Sequence, residues 1–125
     1  MSFTLTAAND SDLRLNSWNW GVLHHLVDQA GVFPDEMWAP FRYNSGAELE
    51  SDQVTALVKF LETGVLPRMK PDQRMFFDGS VTDEPDDGTF YREEGELWRN
   101  YSLHHSVLAR LIGFLKESPS PITIF

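Results

Sequence analysis

The stretch Asn16-Ser17-Trp18-Asn19-Trp20-Gly21-Val22-Leu23-His24-His25-Leu26-Val27-Asp28-Gln29-Ala30-Gly31 decides the reading of this chain. Asn16 or Ser17 can cap the free amides of a first helical turn, and Gly31 suits the left-handed conformation that ends helices. At about 100° per residue, Trp18, Trp20, Val22, Leu23, Leu26, Val27 and Ala30 share one broad face. Asn19 projects into the middle of that face, whereas His24, His25 and Asp28 lie towards its polar side. The spacing predicts an amphipathic helix whose apolar face must find a partner.

Two further segments carry the same period. Ser51 is placed to cap a helix carrying Val54, Leu57, Val58, Phe60 and Leu61, with Gly64 and Pro67 beyond as stop signals. From Ser102 to Lys116, an apolar face runs through Leu103, Val107, Leu108, Leu111, Ile112, Phe114 and Leu115, with His104 at its centre and His105 at its edge. Pro34 to Trp38 suits a short helix, and Tyr43-Asn44-Ser45-Gly46 has turn chemistry. At the ends, Phe3-Thr4-Leu5-Thr6 and Ile122-Thr123-Ile124-Phe125 alternate as short strands do, and they are placed to pair with each other or with a third strand. The expected fold is mainly α. It has three principal amphipathic helices around an aromatic core, short terminal β-strands, and one domain over residues 1–125.

Between about residues 67 and 98 the period fails, and Pro71, Gly79, Pro85, Gly88 and Gly95 punctuate the segment. Met75-Phe76-Phe77 and Thr89-Phe90-Tyr91 are apolar enough to dock on the core, as a long acidic loop or as a hairpin around an acidic tip. A structureless loop of that length is unusual inside a compact domain unless it has a function.

Composition bounds the partner class. The 125 residues are 42% hydrophobic with 16 aromatic side chains, which excludes wholesale disorder. The formal charge of −9 speaks against binding a nucleic-acid backbone, which needs a basic face. That charge is local. Residues 78–96 hold eight acids and one arginine, whereas the other 106 residues carry 11 acids and nine bases. No cysteine is present, so disulfides, zinc thiolates and cysteine nucleophiles drop out. The first twelve residues lack a signal-peptide pattern, and no apolar run approaches the roughly 18 residues of a membrane span, so a cytoplasmic location is expected.

The candidate chemistry is sparse. His24-His25 and His104-His105 are adjacent pairs, and neighbours on a helix diverge, so a metal would need one histidine from each pair plus a carboxylate such as Asp28. Surface and core histidines explain the pairs more simply, and no cofactor is expected. Asn19 and His104 form a natural buried polar pair, because a mid-core polar group must find a hydrogen bond: the two can satisfy each other, or Asn19 can tie down the Tyr43–Gly46 turn. The functional version of that pair is a small polar pocket lined by Trp18, Asn19, Trp20 and His104. Counted from Asp83, a calcium loop would place Asp87, Gly88 and Glu94 correctly, but loop position three is Pro85, which has no side-chain oxygen, and no helix pattern enters the loop. No nucleophile elbow or phosphate loop is present.

The opening Asn16-Ser17-Trp18-Asn19-Trp20-Gly21, followed by Tyr43-Asn44-Ser45-Gly46 and an amphipathic helix, resembles small uncharacterised bacterial proteins with a Trp-rich first helix before a Tyr-Asn-x-Gly turn. That resemblance covers residues 16–62 and implies a bacterial origin and a small helical domain, with no activity attached. In size and charge the chain is also similar to bacterial immunity proteins that neutralise a basic toxin.

The leading expectation is a non-enzymatic binding protein whose acidic segment meets a basic protein partner. Asp83, Glu84, Asp86, Asp87, Glu93, Glu94 and Glu96 supply the charge, and Phe90 and Tyr91 the apolar anchors. The alternative is a metal-dependent hydrolase or small-ligand protein using His24 or His25 with His104 or His105. A third reading is a subunit that dimerises through the Trp-rich helix.

Overall fold

A computed structural model describes residues 2–37, 46–85 and 90–125. The first strand, β1 (Ser2–Thr6), turns back into β2 (Asp12–Asn16), and the chain passes directly into helix α1 (Ser17–Ala30). Asn16 is the N-cap, its side chain accepting from the Asn19 amide at 2.9 Å, and Gly31 closes the helix in the left-handed region at φ 65°. Strand β3 (Ala47–Leu49) leads into α2 (Ser51–Phe60). The cap of α2 is Glu50, one residue before the serine that the sequence suggests, and Gln53 Oε1 accepts from the Glu50 amide at 2.9 Å. Gly64 does not stop this helix. It continues as a π turn over Leu61–Val65 and a 3₁₀ turn over Leu66–Arg68.

The short strands β4 (Arg74–Met75), β5 (Val81–Thr82) and β6 (Leu103–His104) follow, with a 3₁₀ helix at Glu94–Asn100 between the last two. Helix α3 (His105–Glu117) and strand β7 (Ile122–Ile124) complete the chain. Among the described residues, seven strands form two antiparallel sheets, ordered β2-β1-β7-β3 and β5-β4-β6. With 49% helix and 20% strand this is an α+β fold, which corrects the expectation of a mainly α protein with strands only at its ends.

The correction has a local cause. In β2, Asp12-Leu13-Arg14-Leu15-Asn16 alternates cleanly, yet it runs without a break into the helical pattern that follows. Its strand character is settled by pairing: Phe3 stands opposite Leu15 and Leu5 opposite Leu13, which puts apolar side chains on one face. The terminal strands do pair, Leu5 with Ile124, and β7 also pairs with β3, Ala47 opposite Ile124. The shared core lies between this face and the helices, and its fully buried side chains include Leu5, Trp20, Leu23, Leu57, Leu111 and Ile122. Each such side chain contributes roughly 1.5–3 kcal/mol relative to exposure.

The second sheet replaces the expected irregular segment. Met75 pairs with Val81 in a hairpin around Asp78–Gly79, not with Phe90 or Tyr91, and Thr89 lies outside the described residues. The Phe76 amide donates to Ser80 O, Gly79 donates to Phe76 O, and Gly79 takes a φ of 84° that its missing Cβ permits. On its other side β4 pairs with β6, Arg74 opposite His104 and Met75 opposite Leu103. These bridges claim the residues expected to open the last helix, so His104 lies on a strand, half-buried, and α3 begins at His105.

Candidate protein-binding face

Asn19 and His104 meet, but through the backbone. Asn19 is 3% exposed; its Oδ1 accepts from the His104 amide at 2.9 Å, and its Nδ2 donates to Asn16 Oδ1 at 2.9 Å. Both polar ends of Asn19 are thereby committed to structure. The residues expected to line a pocket beside them divide between surface and core. Trp18 and Trp20 are two residues apart on α1 and point to opposite sides, Trp18 38% exposed and Trp20 stacked on Phe3 in the core at 4.8 Å.

The histidines have described surroundings of their own. His24 and Asp28 line a cavity of about 50 Å³ beyond the end of α1, with Phe33 and Asp35. His25 meets the Phe77 ring edge-on at 5.4 Å, and the His105 amide donates to Gln73 O at 3.0 Å. Among the described residues no three His, Asp or Glu side chains are gathered closely enough to hold a metal ion.

A different arrangement emerges around residues 90–101. Trp18 touches Tyr101 edge-on at 5.0 Å and Phe90 at 5.8 Å, and Tyr101 meets Phe77 at 5.2 Å. Gly21 makes the approach possible, because a Cβ there would sit 2.8 Å from Tyr101 Cδ1. A second group flanks the same 3₁₀ helix, with Trp98 against Phe76 at 5.1 Å and the Arg74 guanidinium over the Phe76 ring at 5.1 Å. Arg74 of β4 also donates to Glu84 O at 3.0 Å and to the buried Ser102 Oγ at 3.1 Å, holding the chain on both sides of residues 90–101.

Five large apolar side chains among the described residues are well exposed, and four belong here: Trp18, Phe90 (53%), Leu97 (41%) and Trp98 (48%). Beside them Glu93, Glu94 and Glu96 are exposed, the last two in the first turn of the 3₁₀ helix, where acids complement the free amides. The Glu96 carboxylate bonds Arg99 at 2.8 Å and raises the already high pKa of that guanidinium. Among the other expected acids, Asp83 accepts from Gln73 Nε2 at 2.7 Å and Glu84 is exposed. Asp86 and Asp87 lie outside the described residues.

Tyr91, expected as an anchor, is used internally. Its amide donates to Asn100 Oδ1 at 2.8 Å, its carbonyl accepts from Asn100 Nδ2 at 2.9 Å, and its ring lies under Arg99 at 4.2 Å. Sequence reasoning missed Trp98 and Leu97 as surface groups. The available signal was their position directly after Glu93-Glu94-Gly95-Glu96, an aromatic-aliphatic pair set against a run of acids.

Exposed aromatic side chains next to acidic ones are a composition common at protein interfaces. No protein-family model, curated protein or solved structure matches this chain. Among the described residues no helix is long and apolar enough to cross a membrane.

Proposed function

We propose that this chain is a non-enzymatic binding protein that docks a basic protein partner on the face built by residues 90–101 and the start of α1, in the manner of an immunity protein. The observation that carries the reading is that exposed Phe90, Leu97 and Trp98 share one short segment with exposed Glu93, Glu94 and Glu96, and that exposed Trp18 packs on Phe90. Large rigid aromatics bury much area at little entropic cost, and the surrounding carboxylates steer a basic surface into register and repel acidic competitors.

The test is a pull-down from the native cell with two baits, the wild-type chain and a variant carrying Glu93→Gln, Glu94→Gln, Glu96→Gln and Trp98→Ala. A basic protein held by the first bait, lost from the second and released by salt supports the reading. Binding that survives both the substitutions and high salt overturns it.

A further inference from the structure

Strand β2 is an edge of the four-stranded sheet, and among the described residues nothing pairs with its outer side. The direction of its hydrogen bonds follows from its neighbour. The Thr4 amide donates to Phe125 O at 2.6 Å and the Phe125 amide donates to Thr4 O at 2.8 Å, so even-numbered residues of β1 bond towards β7. Odd-numbered residues therefore bond towards β2, as the Ala7 amide does in donating to Ser11 O at 2.8 Å. With Phe3 opposite Leu15 and Leu5 opposite Leu13, the leucines spend their backbone groups on β1. The amides and carbonyls of Asp12 and Arg14 are left pointing outward.

The side chains of that edge carry a self-complementary pattern. Asp12 and Arg14 are both exposed, lie on the same face two residues apart, and make no hydrogen bond or ion pair among the described residues. Between them Leu13 turns to the core face and is only partly buried there. From this arrangement we infer that β2 is a homodimerisation edge, occupied by the β2 strand of a second copy running antiparallel about a two-fold axis at Leu13.

The register selects itself. Centring the axis on Leu13 sets Asp12 opposite the partner's Arg14, and Arg14 opposite the partner's Asp12, as two hydrogen-bonded pairs with opposite charges on one face. Leu13 then meets the partner's Leu13 in the closer, non-hydrogen-bonded type of pair, covering the apolar surface that the edge leaves open. Centring on Arg14 would instead oppose two arginines, which repel. Centring on Leu15 would run the partner strand into α1, which begins at Ser17. Pairing at Leu13 produces one continuous eight-stranded sheet and removes the open edge from both copies. This inference is independent of the acidic face, which is built from other residues.

Analytical ultracentrifugation across a range of protein concentrations tests it. The wild-type chain is expected to dimerise reversibly. Arg14→Asp and Asp12→Arg should each weaken the dimer about tenfold or more, because each opposes like charges across the axis. The double exchange, Asp12→Arg with Arg14→Asp, restores opposite charges and should return the affinity close to wild type. Circular dichroism checks that the variants keep their fold. A wild-type chain that stays monomeric at every concentration overturns the inference. So does a dimer that the single exchanges leave intact, or one that the double exchange fails to rescue.

Discussion

Asn19 Oδ1 accepts the backbone N–H of His104 at 2.9 Å, joining residues 85 positions apart across the interface between α1 and the second sheet. The same side chain donates to Asn16 Oδ1, so one asparagine links the cap of α1 to the strand that precedes α3. Replacing Asn19 by Leu leaves the His104 amide without its acceptor, and the expected cost is about 1–3 kcal/mol in urea unfolding. Asn19→Asp should also destabilise. A carboxylate still accepts from His104 but has no proton to give to Asn16 Oδ1.

Gly21 admits the Tyr101 ring to the surface of α1. Alanine at an ordinary helix position would gain about 1 kcal/mol over glycine, but here its Cβ would stand 2.8 Å from Tyr101 Cδ1. The ring must move, and the Trp18–Tyr101 and Phe77–Tyr101 contacts move with it. Gly21→Ala is therefore expected to destabilise despite its helix propensity, with a changed near-ultraviolet circular dichroism signal as the direct readout.

Two tryptophans should respond in opposite ways. Trp20 is 1% exposed and stacked on Phe3, so Trp20→Ala should cost about 3–5 kcal/mol. Trp98 is 48% exposed and packs on Phe76 as its one aromatic neighbour among the described residues, so Trp98→Ala should cost about 1 kcal/mol or less while abolishing partner capture. Equal destabilisation by the two substitutions would contradict the assignment of Trp98 to a surface role.

Asp78 gives the β4–β5 hairpin a sensitivity to acid. The hydroxyl and amide of Ser80 both donate to its carboxylate and hold its pKa below the ordinary aspartate value. A depressed carboxylate stabilises the fold fully above its unfolded pKa, and that contribution disappears as pH falls through the folded pKa. The loss therefore falls below about pH 4. Ser80→Ala should move the Asp78 titration upward, as followed by NMR of its side-chain carboxyl.

The helices were legible where a local signal was sufficient. Asn16 and Gly31 bound α1 as their capping chemistry dictates, and the apolar periods of α2 and α3 mark their buried faces. The strands were less legible because most are two or three residues long, too short for alternation to stand out. His104 shows the consequence: its helical period continues that of α3, yet pairing with Arg74 places it on a strand. In the candidate site, the acids and Phe90 could be read from charge and composition. That Tyr91 is clamped by Asn100 and Trp98 is left outside depends on contacts that no local pattern encodes.

By itself the sequence determined the position of α1, the apolar faces of the other helices, the terminal strand pairing and the concentration of negative charge in one segment. Each depends on residues close together in the chain, or on a simple count. Tertiary structure alone decided that the fold is α+β, that Asn19 bonds the backbone amide of His104 rather than its ring, and which aromatics remain at the surface. Those outcomes depend on which backbone groups find partners across long sequence separations, and a hydrogen bond spanning 85 residues leaves no periodic trace.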